Sequence, residues 1–482
     1  TRSLEEFSPV NNELVTIYSC GPTVYSRQHL GNLRAAFLVD LYKNVIKHIW
    51  WYQVNHVMNI TDVGHLTDDG DQWEDKMEKG ARQQWITARD VAEKFTNIYL
   101  EDLALLKIDA FDVMPRATDH IAEQIAMVQE LETKWYTYII ENDGVYMDTS
   151  KVSDYGKLIG KKHMEGLEQW ARIENAWKRN STDFALWKFN ITGKQRDMER
   201  ESPRGVWFPG RHIECSAMSM KYLGEHIDIH TWGMEHIAIH HTNEICQSEC
   251  SHGHTPWVNY WVHNQWLMMN GKKIAKSDGN VAYMRYFFLQ AHYRSFQDFS
   301  REGLEAASKA RKKLNQRIWR RCELVNITHE RLQDIDLSSI TIQDHIEIAE
   351  KIADDFMTPA LIAWLFELLQ KRTNEENILK SWEENSALRS FDSVTDEQKN
   401  AWKTISDDLQ FLYLLDRKIL KLWLFEFQEQ EEIPSVILAL AEKRRQAKLA
   451  KDRTLADTLR QQLTDAWWTM QDEKDWYQLQ KI

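Results

Sequence analysis

The stretch from Leu14 to Ile49 constrains this chain most. Leu14-Val15-Thr16-Ile17-Tyr18 is short, apolar and β-branched, which reads as a buried strand. Gly21-Pro22 stops it. From Leu30 onward apolar residues recur at helical spacing, Leu33, Phe37, Leu41, Val45 and Ile49 among them. The stretch is therefore a strand, a loop and a helix. Its loop presents Cys20 at the strand end and His29-Leu30-Gly31 at the helix start. Free N–H groups at a helix N-terminus favour phosphate, and a glycine lets phosphate approach the backbone. Alone, such a junction is more often an ordinary turn with an incidental cysteine and histidine.

The alternation continues. A strand at 54–60 and a helix at about 88–106 complete a βαβ pattern, which implies a parallel sheet. Ligands in such sheets bind at the carboxyl ends of strands, where Cys20 and Thr61-Asp62 fall. The acidic stretch Gly64 to Lys76 reads as a solvated loop. Residues 118–138 read as a helix. Residues 139–205 lose the rhythm and read as an insertion, with a strand at Val145 to Asp148 and a charged helical piece near 166–179. The pattern returns with Ile227 to His230, a helix at 238–250 and the stretch Tyr260 to Met269. From Ser300 onward the chain reads as all helical, with a linker over Gln428 to Ile433.

The second half also contains Lys273-Ile274-Ala275-Lys276-Ser277-Asp278-Gly279-Asn280. An early His-x-Gly and a late Lys-x-x-Lys-Ser on one α/β chain resemble the paired HIGH and KMSKS signatures of class I aminoacyl-tRNA synthetases. Cys20-Gly21-Pro22-Thr23-Val24-Tyr25 narrows the resemblance to the cysteinyl-tRNA synthetase family. Further family-like stretches run in the family's order over nearly the whole length. They include Asn59 to Asp62, Asp183 to Lys188, His212-Ile213-Glu214-Cys215, His240 to Glu244 and His292-Tyr293-Arg294.

The resemblance implies an α/β, Rossmann-like catalytic domain over 1–300 with its insertion at about 139–205. A helical bundle that binds tRNA would follow over 301–428, then a small anticodon-recognition module over 434–482. It implies activation of L-cysteine by ATP and transfer to the 3′ end of tRNA-Cys, by a cytoplasmic monomer. His29, Gly31 and Asn32 would contact the ATP phosphates, and Lys273 and Lys276 would neutralise the departing pyrophosphate. Mg²⁺ would accompany the ATP. Thr23 and Ser277 join the ATP-binding set, and Thr61 and His230 the substrate-binding set.

A cysteine-specific enzyme must also separate cysteine from serine. A thiolate–metal bond can do this, because zinc binds sulfur well and a serine hydroxyl poorly. Cys20, Cys215, His240 and Glu244 are the candidates for one zinc ion per chain, and the family's zinc ligands fall on these positions. His240 and Glu244, four apart, share a helix face. Cys246 and Cys250 face elsewhere and read as core thiols, His241 points off the site, and Cys322 is incidental. Three departures stand out: Asn32 in place of the second histidine of the HIGH signature, Ile274 and Ala275 within the lysine signature, and Arg211 where the family has a tryptophan lining the cysteine pocket.

Two alternatives remain open at this point. One is the paralogous ligase that joins cysteine to an amino sugar in mycothiol synthesis. The other is a non-catalytic tRNA-binding paralogue. Net charge of −13 argues weakly against a nucleic-acid partner, but basic residues cluster. One cluster is Lys309, Arg311, Lys312, Lys313, Arg317, Arg320 and Arg321, which is either a solvated helix face or a contact for the tRNA backbone. Lys443 to Arg460, followed by Trp467, Trp468 and Trp476, combines basic and aromatic residues in a way that suits unstacked RNA bases.

Five cysteines suit cytosolic thiols or metal ligands better than disulfides. No apolar run is long enough to span a membrane. The polar start is no secretory signal, and family members begin a few residues earlier, so a longer or processed start is expected. One feature of composition is abnormal: 21 tryptophans against 18 glycines in 482 residues, about half the usual glycine share of roughly 7%. Trp51, Trp73, Trp85 and Trp232 stand at turns or loops where glycine is expected, as if a codon for glycine were decoded as tryptophan.

Overall fold

The computed structural model describes residues 4–62, 87–109, 111–160, 177–189, 200–202, 205–269, 281–328, 331–332, 334, 346–385, 394–425, 435–450, 452–466, 468–472 and 477–481. Residues 1–425 form one compact unit and 426–482 a second.

In the first unit β1 (Leu14–Ser19) leads through a loop into α1 (Leu30–His48). β2 (Gln53–Met58) pairs with β1 in parallel, from Leu14 beside Gln53 to Ser19 beside Met58. α2 (Ala88–Leu105) opens with a capping box between Thr87 and Asp90. α3 (Ile121–Thr133) stops short of the expected 138, because the chain turns at Trp135 into β3 (Thr137–Ile140). β3 starts the insertion's own antiparallel sheet. It is joined by β4 (Gly144–Met147), β5 (Phe184–Phe189), β6 (Arg200–Ser202) and β7 (Gly205–Pro209), in spatial order β3-β4-β5-β7-β6. Val145, Met147, Phe184 and Leu186 pack there with Met127 and Leu131 of α3. Nearly all of the expected helical piece at 166–179, and the acidic stretch from Gly64 to Lys76, lie outside the described residues.

α4 (Arg211–Leu223), β8 (Ile227–Gly233), α5 (Thr242–His252) and β9 (Val258–Asn264) restore the alternation. β8 lies on the other side of β1 from β2, giving a parallel sheet of order β2-β1-β8-β9. Val15, Ile17 and Ile229 of this sheet pack against Val39 and Ile46 of α1. Full burial of such a side chain stabilises by about 1.5–3 kcal/mol, so this contact fixes the loop between β1 and α1. The stretch 260–269 divides. β9 ends at Asn264, and β10 (Leu267–Met269) pairs in parallel with β11 (Gln297–Phe299) across α6 (Val281–Leu289). Asp40 of α1 is fully buried and would be costly alone. Arg285 of α6, at 3.5 Å, and Lys421, at 3.3 Å, compensate it.

Helices follow: α7 (Arg301–Leu324), α8 (Ile346–Ala353), α9 (Thr358–Lys371), α10 (Thr373–Asn385) and α11 (Asp396–Leu415). The basic face of α7 is divided. Lys309, Lys312, Lys313 and Arg320 are exposed, whereas Arg311 and Arg321 are buried. Arg311 donates to the carbonyls of Leu422 and Trp423, at 2.5 and 2.9 Å, and Arg321 pairs with Glu376 at 2.7 Å.

In the second unit the expected single helical stretch is two helices, α12 (Ser435–Leu449) and α13 (Arg453–Asp465), the latter capped by Asp452. The end is not helical. β12 (Trp468–Asp472) and β13 (Tyr477–Lys481) form an antiparallel hairpin. Met470 of β12 packs with Ile437, Ala441 and Leu463. The linker Gln428 to Ile433 lies outside the described residues. Among the described residues no helix is long and apolar enough to cross a membrane.

Candidate active site and metal centre

The loop after β1 is stitched to the loop after β2. Val24 N–H bonds to the Thr61 carbonyl at 3.2 Å, and Thr61 N–H to the Pro22 carbonyl at 3.1 Å. The Asn59 side chain accepts from Gly21 N–H at 2.7 Å and from the Tyr18 hydroxyl at 3.2 Å, and donates to the Thr61 hydroxyl at 3.0 Å. Glycine is required at 21, because a Cβ there would stand 1.3 Å from the Asn59 carbonyl oxygen. These bonds hold Cys20, Thr23 and Thr61 together at the carboxyl end of the sheet.

His29 caps α1. Its Nδ1 accepts from Asn32 N–H at 3.3 Å. A neutral ring accepting at Nδ1 carries its proton on Nε2, which is then a donor for an oxyanion. Gly31 leaves room for that ring, since a Cβ there would meet it at 3.0 Å. The Asn32 amide donates to Gln28 at 2.5 Å. Lys273, Lys276 and Ser277 lie outside the described residues.

Beside this loop Cys20, Cys215, His240 and Glu244 bring one ligand atom each to within 4.8 Å of one another. His240 belongs to a π-helical turn, Ile237–His241, that opens into α5. Its Nε2 stands 2.6 Å from Glu244 Oε1 and its Nδ1 2.7 Å from His212 Nδ1. The expectation that His241 points away is overturned: its Nε2 lies 3.4 Å from Cys20 Sγ. The wider π-turn changes the angle between successive residues, so neighbouring histidines both face the strand ends. A second group, Cys20, His230, His241 and Glu244, thus also converges within 4.8 Å.

The cavity separates the two groups. A cavity of about 260 Å³ is lined by Cys20, Thr23, Thr61, Arg211, Cys215 and His240, among others. His230 and His241 do not line it and are fully buried behind it. Of the first group, Cys20, Cys215 and His240 open onto this cavity, so an ion held there would be within reach of a substrate. His230 then supports that set, its Nε2 2.8 Å from Glu244 Oε2.

Electrostatics favour a cation here. Burial would raise the Glu244 carboxyl, but His240 and His230 hold it down to about 2. Burial pushes the Cys20 thiol up, reinforced by Cys215 and Glu244, while a hydrogen bond from Cys20 pulls Cys215 down against burial. Two thiols and a carboxylate this close repel one another once ionised. A divalent cation would stabilise them together, so the donor set fits a metal.

Cys246 and Cys250 lie in the core with Val128 and Trp187, as expected. Asn59, His212 and His241 are the residues whose roles the sequence did not disclose. The doubled histidine in His240-His241 was the one signal for His241.

Comparison with known proteins adds the following. A family model described as "tRNA synthetases class I (C) catalytic domain" matches residues 6–309. Cysteine–tRNA ligase 1 of Burkholderia lata is 36% identical over 98% of this chain and 93% of its own length. The cysteine–tRNA ligase of Chlorobaculum tepidum is 36% identical over 98% and 96%. In fold the chain is similar to Mycobacterium tuberculosis methionyl-tRNA synthetase in complex with methionyl-adenylate. The TM-score is 0.57 at 12% identity, covering 84% of this chain and 92% of that one.

Proposed function

The chain belongs to the cysteinyl-tRNA synthetase family and ligates cysteine to tRNA, and from that premise we propose how its residues divide the work. Cys20, Cys215, His240 and Glu244 would hold a zinc ion. Bound there, zinc would select cysteine over serine, because a borderline-soft ion takes a thiolate at roughly 2.3 Å and a serine hydroxyl poorly. His230 and His212 orient Glu244 and His240 through their hydrogen bonds. The observation that supports the reading is this donor set, of which Cys20, Cys215 and His240 line the cavity beside Thr23 and Thr61.

In the first step an oxygen of the cysteine carboxylate attacks the α-phosphorus of ATP. The bond from that phosphorus to the bridging oxygen breaks, and pyrophosphate leaves with its Mg²⁺. His29, with Nε2–H free to donate, and the backbone at Gly31 and Asn32 bind the phosphates. Lys273, Lys276 and Ser277 supply charge and hydrogen bonds to the departing pyrophosphate. In the second step a hydroxyl of the terminal tRNA ribose attacks the adenylate carbonyl, loses its proton, and AMP leaves. Positioning and charge stabilisation do most of this. All these groups lie on one chain, which fits action as a monomer, and five free cysteines fit a reducing, cytoplasmic setting.

Cysteine-dependent pyrophosphate exchange tests the assignment. Lys276→Ala should lower exchange strongly and leave tRNA affinity nearly unchanged, because its charge is needed as pyrophosphate departs. An equal loss in both would make the lysine loop a tRNA contact instead.

A further inference from the structure

Trp51, Trp135 and Trp423 hold a backbone shape that side chains resist. Their φ angles are 62°, 65° and 55°, in the left-handed region. There a Cβ crowds the following carbonyl, which glycine avoids. Nine described non-glycine residues have positive φ, and three of them are tryptophan, although tryptophan is only 21 of 482 residues. Bulk should exclude tryptophan from this set rather than concentrate it there.

Hydrogen bonding shows that the backbone, and not the indole, imposes each conformation. Trp135 N–H bonds to the Glu132 carbonyl at 2.9 Å and Tyr136 N–H to the Leu131 carbonyl at 3.0 Å. Those two bonds define the helix-ending motif whose left-handed residue is most often glycine. α4 and α5 indeed end at Gly224 and Gly253, with φ of 85° and 83°. Trp51 follows α1, where Trp50 N–H bonds to the Val45 carbonyl and Tyr52 N–H to the Ile46 carbonyl, both at 3.2 Å. Trp423 lies between Leu422 and Leu424, whose N–H groups both bond to the Asp416 carboxylate, at 2.7 and 2.8 Å. The side chains at the two helix ends gain little in return: Trp51 is 63% exposed and Trp135 79%.

We propose that the natural chain carries glycine at positions 51, 135 and 423, through a codon that reads as tryptophan here and as glycine in its own organism. This explains the excess of tryptophan and the shortage of glycine together, and it is independent of the metal assignment. Position 232, which the sequence reads as a glycine loop, is not part of this set: it lies in a strand and is not left-handed. Trp232 is buried at the end of β8, its ring 6.4 Å from that of His236, which lines the active-site cavity.

Peptides from the protein purified from its natural source, sequenced by mass spectrometry, decide the matter. Glycine is expected at 51, 135 and 423, with tryptophan at Trp187 and Trp257, which are buried and not left-handed. Tryptophan at 51, 135 or 423 would overturn the proposal. A second measurement uses the full chain as it reads here. The W51G/W135G/W423G variant should unfold at a higher temperature than the tryptophan form, whereas W257G should unfold at a lower one. A lowered or unchanged midpoint for the triple variant would overturn the proposal.

Discussion

Gly21 has no room for a side chain, because the Asn59 carbonyl occupies the place of a Cβ. Gly21→Ala should therefore displace the loop that carries Cys20 and destabilise the fold on the order of 3 kcal/mol, read by urea unfolding. A loss within ~0.5 kcal/mol would mean that the loop yields freely. The four candidate ligands were legible because each rests on a short-range rule. Cys20 and Cys215 sit in family-like motifs, and His240 and Glu244 are four apart on one turn. His241 was not legible, because the π-turn at Ile237–His241 breaks the helical spacing from which its direction was read. Asn59 stood in a recognised motif, yet its bonds to Tyr18, Gly21 and Thr61 exist only once two strands are paired.

Helix α7 shows what periodicity can and cannot say about an element. Its spacing put seven basic residues on a helix, but packing decides which of them meet solvent. Arg321 is buried against Glu376 and the Leu369 carbonyl. Arg321→Met should break its bonds to Glu376, which keeps Lys380 at 3.9 Å, and to the Leu369 carbonyl, and cost about 3 kcal/mol in thermal or urea unfolding. Lys312→Glu, on the exposed side, should stay within ~0.5 kcal/mol and instead weaken tRNA binding if that side meets the phosphate backbone. Similar stability losses for both would contradict the division of the face. The terminal hairpin was missed for a related reason. Reading 435–482 for basic helical residues passed over the period-two pattern Trp468-Thr469-Met470 and Tyr477-Gln478-Leu479, which buries Met470.

At the scale of the molecule, the alternation of strands and helices gave the parallel sheet and its insertion, because burial on both faces of a sheet leaves a mark in every strand. The metal centre needed the fold itself, since Cys20, Cys215 and Glu244 meet only when β1, α4 and α5 pack together. The separate unit at 426–482 carries Lys443, Arg445 and Lys448 on α12. Its deletion should spare cysteine-dependent pyrophosphate exchange, weaken charging of tRNA-Cys and reduce the salt slope of tRNA binding. Unchanged charging would make that basic stretch a solvated surface. The most direct test is the metal content of the purified chain, measured together with its preference for cysteine over serine in pyrophosphate exchange. About one zinc per chain is expected. Cys215→Ala should lose both the metal and the preference, while Cys250→Ala, changed in the core, should keep both. A Cys215→Ala protein that still holds its zinc and still prefers cysteine would contradict the assignment.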